Sequence, residues 1–131
     1  MTTYYGPDGE IVQNPSDEFL ISILKKDETY WKEGSGDSCL YFEDIDQRII
    51  FFKDEPYGYF IMHHPDYLVP FNPNKNNDTV YHNVGGEPMV VSTACYLSQN
   101  EVEKIVLKFA KSGKILGIEA WEDLYEIVEH E

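Results

Sequence analysis

The chain has 131 residues, of which 42% are hydrophobic, 15% aromatic and 26% charged, a globular balance that excludes intrinsic disorder and fits one domain spanning 1–131. Its 24 Asp and Glu against 10 Lys and Arg give a formal net charge of −14, which repels phosphate backbones, excludes nucleic acid as a direct ligand and favours basic proteins. No basic or apolar leader follows Met1, no run of about 18 apolar residues occurs, and Cys39 and Cys95 lack CxxC spacing, so the expectation is a cytoplasmic protein with free thiols and no membrane contact.

In chain order, Tyr4-Tyr5 and Ile11-Val12 flank a turn, Gly6-Pro7-Asp8-Gly9, and suggest a hairpin. Ser16 is an N-cap candidate with Asp17 and Glu18 in the first turn. Phe19, Leu20, Ile23 and Leu24 repeat at helical spacing, which predicts a helix over 17–27. From 38 to 83 the pattern changes to β-branched and aromatic runs: Cys39–Phe42, Arg48–Phe52, Tyr57–His63 and Thr79–Asn83. The links between the first three, 43–47 and 53–56, are too short for parallel crossovers, so an antiparallel meander is predicted.

Residues 70–78 and 84–88 read as breakers, with the short apolar run Met89-Val90-Val91 after them. Ser98 with Glu101 forms a capping box, Val102, Ile105, Val106 and Phe109 share a helical face, and Gly113 is a stop. A last strand is expected in 114–121 and a short helix in the tail, 122–131. The sum is an α+β fold, an antiparallel sheet of about four to six strands with two main helices packed on one face.

The stretch His63-His64-Pro65-Asp66 invites a metal or catalytic reading. Along a strand, however, neighbouring side chains leave opposite faces, so His63 and His64 cannot converge on one ion. No HxH, HExxH, GxSxG, Walker or dinucleotide motif occurs. Neither a cofactor nor a metal is expected, nor a catalytic residue. The alternative is a small metal-binding or hydrolytic enzyme using His63, His64 and His82 with Asp66. The acidic connectors offer a different chemistry. Glu43, Asp44, Asp46, Asp54 and Glu55 are carboxylates suited to Lys and Arg of a partner, and Tyr57 and Tyr67 supply contact area at small entropic cost. Carboxylates at such tips are also what a merely solvated surface displays.

The order of these features, with Gly85-Gly86-Glu87-Pro88 before Met89-Val90-Val91, then Phe109-Ala110-Lys111-Ser112-Gly113-Lys114, then Trp121, resembles the Immunity protein 1 family of bacterial polymorphic-toxin and contact-dependent growth inhibition systems. The resemblance covers about 17–121. Where the family often has Glu-Phe, Thr-Gly and a proline before the tryptophan strand, this chain has Lys108-Phe109, Ser112-Gly113 and Ile115 or Leu116. It implies a non-catalytic antitoxin that binds a cognate toxin domain and blocks it; members act on varied toxins, including nucleases and deaminases, so the toxin's chemistry does not carry over. With the charge of −14, the expected partner is a basic toxin domain such as a nuclease or deaminase, and the expected state is a monomer or weak dimer.

Overall fold

Gly6-Pro7-Asp8-Gly9 turns the chain between β1 (Thr2–Tyr5) and β2 (Ile11–Gln13), which pair antiparallel with Tyr5 opposite Ile11. The structure, a computed structural model, describes residues 1–32, 34, 36–54, 57–64, 66–72, 74–84, 87–115 and 120–123. The Ser16 side chain caps α1 (Asp17–Leu24) by accepting the Phe19 N–H at 3.1 Å. This helix stops at Leu24, short of the expected Asp27, because Lys25 already serves as the C-cap and the Asp27 carboxylate starts a new turn by accepting the Thr29 N–H at 3.1 Å. That turn leads into α2 (Glu28–Trp31).

The expected meander then follows as β3 (Ser38–Phe42), β4 (Gln47–Asp54) and β5 (Gly58–His64), each antiparallel to the last. The fourth strand beside them is β6 (Leu68–Phe71), whose second half, Pro70-Phe71, falls in the stretch 70–78 read as a loop. Pro70 is tolerated because β6 lies near the sheet edge, paired on its far side with the short β9 (Ala120–Asp123). The run expected as the fourth strand instead forms β7 (Thr79–Val84), which leaves the sheet and pairs with β8 (Glu87–Ser92). The Asn-rich loop carries it away: Asn72 N–H donates to the Ala94 carbonyl at 3.0 Å, and Ser92 hydrogen-bonds Asn77. Among the described residues the strands form a seven-stranded antiparallel sheet, β2-β1-β3-β4-β5-β6-β9, and the separate β7–β8 pair.

The capping box forms as read: Glu101 N–H donates to Ser98 Oγ at 3.3 Å and Ser98 N–H to Glu101 Oε1 at 3.1 Å, opening α3 (Gln99–Ser112). Gly113 ends it at φ 70, where an added Cβ would lie 2.7 Å from the Phe42 ring. Ala120 and Trp121 of the expected last strand belong to β9, which continues through Glu122 and Asp123. Residues 116–119 and the remainder of the expected tail helix, 124–131, lie outside the described residues.

Strand alternation puts Tyr4, Leu40, Ile49, Phe51 and Ile61 together, and these are fully buried with Leu20, Ile23, Leu24, Trp31, Ile105 and Phe109 from the helices. Edge-on aromatic contacts knit the layers, Tyr4 with Phe19 at 5.3 Å and Phe42 with Phe109 at 6.2 Å between centroids. On the other side of the sheet, Phe52 and Phe60 are covered by His82 of β7 and by Tyr96. Gly58 permits that cover: it sits at φ +111 with the Leu97 carbonyl 2.6 Å from where a Cβ would be, so Tyr59 and Leu97 can exchange backbone hydrogen bonds of 3.0 and 2.7 Å.

Candidate functional site

β4 runs the height of the sheet, so the connectors at its two ends stand roughly 23 Å apart by strand rise. The acidic residues singled out in the sequence therefore do not form one cluster. Glu43, Asp44 and Asp46 lie at the β3–β4 end with Tyr67, while Asp54 and Tyr57 lie at the β4–β5 end. Glu55 is outside the described residues.

At the first end, Glu43–Ile45 make a single 3-10 turn and Asp46 closes it in the left-handed region at φ 52, its N–H donating to the Glu43 carbonyl at 3.2 Å. Asp accepts that conformation more readily than most residues, which is why the connector is short and fixed. Glu43 N–H donates to the Met1 carbonyl at 2.9 Å, tying the turn to β1, and Asp44 sits 3.1 Å from the Met1 amine. The Tyr41 hydroxyl donates to Asp46 Oδ1 at 2.6 Å, and the carboxylate that accepts this hydrogen holds the phenol above its ordinary pKa. Arg48 lies over the Tyr41 ring, its guanidinium carbon 5.2 Å from the centroid. Glu43, Asp44, Ile45 and Asp46 are all exposed.

The same end carries the histidine pair. His63 is buried against Phe109, with Nδ1 2.6 Å from Asp66 Oδ1 and Nε2 3.0 Å from Gln47 Oε1. Both ring nitrogens are engaged, the first donating to the carboxylate and the second meeting an amide whose orientation depends on the tautomer. The imidazole floors a groove of about 420 Å³ walled by Ile45, Gly113, Lys114 and Ile115. His64 leaves the opposite face, across from Arg48, with its ring edge-on to Tyr67 at 5.1 Å and its buried Nδ1 without a hydrogen-bond partner among the described residues. Tyr67 holds φ 58, an uncommon value for an aromatic residue, in the tight turn into β6.

At the far end, Asp54 faces inward. Its side chain is 14% exposed; Oδ2 accepts from the Tyr96 hydroxyl at 3.1 Å and lies 3.6 Å from His82 Nδ1. His82 stacks flat on Phe52 at 3.7 Å and 3°, while Nε2 lies 2.9 Å from the Gly36 carbonyl and donates to it. Burial, with the Asp54 charge second, pushes the Tyr96 phenol up. Tyr57 is exposed beside it, 5.4 Å from the Tyr96 ring.

The imidazoles of the enzyme alternative thus stay apart: His63 faces α3, His64 the opposite face, and His82 the far end over Phe52. Among the described residues, no group of three or more His, Cys, Asp or Glu could hold a metal ion. Sequence reasoning missed Gln47, Tyr96 and Arg48 as partners of His63, Asp54 and Tyr41. The signal for Gln47 is the pairing of Ile49 with His63, which puts Gln47 on the same face, and register is not written locally. No family model, no curated protein and no solved structure matches this chain.

Proposed function

We propose that this chain is an immunity protein of the polymorphic-toxin, contact-dependent inhibition kind. It binds a cognate toxin domain in the cytoplasm and blocks its active site or substrate cleft. The observation that carries the reading is the β3–β4 connector, where Glu43, Asp44 and Asp46 stand exposed on a short turn tied to β1 and clamped by Tyr41. Carboxylates held in place lose little entropy when they meet Lys and Arg, and a net charge of −14 accelerates encounter with a basic cleft such as a nuclease or deaminase requires. The resemblance in element order to the Immunity protein 1 family supports the same reading.

The enzyme alternative has one observation in its favour, the His63–Asp66 pair beside the groove. The inhibitor reading gives that pair a structural task, fixing the turn after β5 against β4 and α3. A search for a toxin domain encoded directly upstream of this chain's gene, followed by co-expression with that domain, decides between them; absence of a toxin-like neighbour would count against the reading. Rescue of growth together with co-purification is the expected result. Unrelieved growth arrest by that domain would overturn the reading.

A further inference from the structure

Among the described residues, the sheet face that carries Phe52 and Phe60 is covered over one half only. Antiparallel partners share a face, so the pairs Ile11–Tyr5, Tyr5–Cys39 and Cys39–Ile50 form a continuous cross-strand row over β2, β1, β3 and β4. Tyr41 and Arg48 form the next row on the same side. Toward β5 the face lies under His82 and Tyr96, but toward β2 that cover ends. Ile11 is 64% exposed and Tyr5 41%, and a groove of about 520 Å³ opens among Tyr5, Cys39, Tyr41 and Arg48.

This is an unusual thing for a chain this polar to leave in water. Its composition is that of a protein-contact centre, aromatic and aliphatic with one arginine. Burial raises the Cys39 thiol to about 11, so the floor between the tyrosines is neutral at physiological pH. The rim is acidic. The charge of Asp37 reaches the Cys39 thiol, Asp46 holds the Tyr41 hydroxyl, and the charge of Glu43 reaches the same phenol.

We infer that this open half of the sheet face is the docking surface for a basic protein partner, with Ile11, Tyr5 and Tyr41 as anchors inside an acidic rim of Asp37, Glu43 and Asp46. The identity of that partner as a toxin domain rests on the proposed function; the face itself rests on the register and exposure of these residues. Charge selects the occupant. A second copy of a −14 chain, a nucleic acid or an anionic membrane would each be repelled by this rim, whereas a cationic protein surface is drawn to it.

The test uses the full chain and the toxin domain that the co-expression experiment identifies, made inactive by substitution in its own active site. Titration calorimetry compares wild type with Tyr5→Arg, Ile11→Arg and Gln13→Arg, all at exposed positions, and with Asn100→Arg, exposed at the start of α3, as control. The patch variants are expected to bind at least about tenfold more weakly, Asn100→Arg within about twofold of wild type, and the wild-type affinity to fall with added salt. Circular dichroism and melting curves establish that each variant is folded. Patch variants that bind like wild type overturn the docking face and leave the immunity reading standing. A wild-type chain that does not bind removes both. A dimer seen by sedimentation that the same substitutions dissolve replaces the basic partner with a second copy and overturns the proposal.

Discussion

At the start of β4, Asp46 stands exposed and accepts a hydrogen bond from Tyr41; at its end, Asp54 is 14% exposed between Tyr96 and His82. Both are aspartates of acidic connectors in a meander, and nothing in their immediate sequence separates them. What differs is what arrives from elsewhere in the chain. The β7–β8 pair and the segment through Tyr96 come to rest over Phe52 and Phe60, and Asp54 becomes the polar tie of that packing. Among the described residues no such cover reaches Tyr41 and Asp46, so the first connector keeps its carboxylates for solvent or a partner. Acidic residues at strand ends are therefore not equivalent evidence for a contact surface.

Substitutions at the two ends of β4 should separate them by size of effect. The largest belongs to the covered half, where Phe52→Ala removes the ring under His82 and is expected to cost about 3–5 kcal/mol in urea unfolding. A smaller loss at the same end follows from Asp54→Ala, which strands the Tyr96 hydroxyl and removes the carboxylate facing His82. It should cost about 1–3 kcal/mol, and a cost near zero would mean that the tie is not holding the hairpin.

Alkaline pH probes both halves at once. The Cys39 thiol, raised from 9.0 to about 11 by burial, stays protonated in the folded chain while the unfolded chain ionises first. Its contribution is intact below pH 9.0 and is lost progressively up to about 11, at up to about 1.4 kcal/mol per pH unit. The buried Tyr4 and Tyr96 phenols, also raised by burial, add their loss above their ordinary value of 10.0. Urea midpoints measured from pH 8 to 11 should hold to about pH 9 and fall above it, and Tyr96→Phe should flatten the upper part. The smallest effect belongs to the open end: Asp46→Asn should change stability by less than about 0.5 kcal/mol while slowing association with a basic partner, as stopped-flow mixing would register.

The local signals were written plainly in the residues. Ser16 and Ser98 announced their helices because a hydroxyl that accepts an N–H near a helix start acts within one turn, and Gly113 stopped α3 for a reason equally local. The β3–β4–β5 meander followed from short links, and the divergence of His63 and His64 followed from the period of a strand. Strand β6 escaped because Pro70 marks a breaker unless the strand lies near an edge, and edge position is a property of the assembled sheet.

The sequence by itself determined the starts of α1 and α3, the β3–β4–β5 meander, the acidity of the chain and the separation of the adjacent histidines, since all of these depend on neighbours a few residues apart. The tertiary structure alone decided that β7 leaves the sheet, that Asp54 turns inward while Asp46 faces out, and that Ile11, Tyr5 and Tyr41 line an uncovered face. Each of these depends on register and on which element comes to cover which strand. Those are long-range packing outcomes, fixed by the burial of side chains distant in the chain.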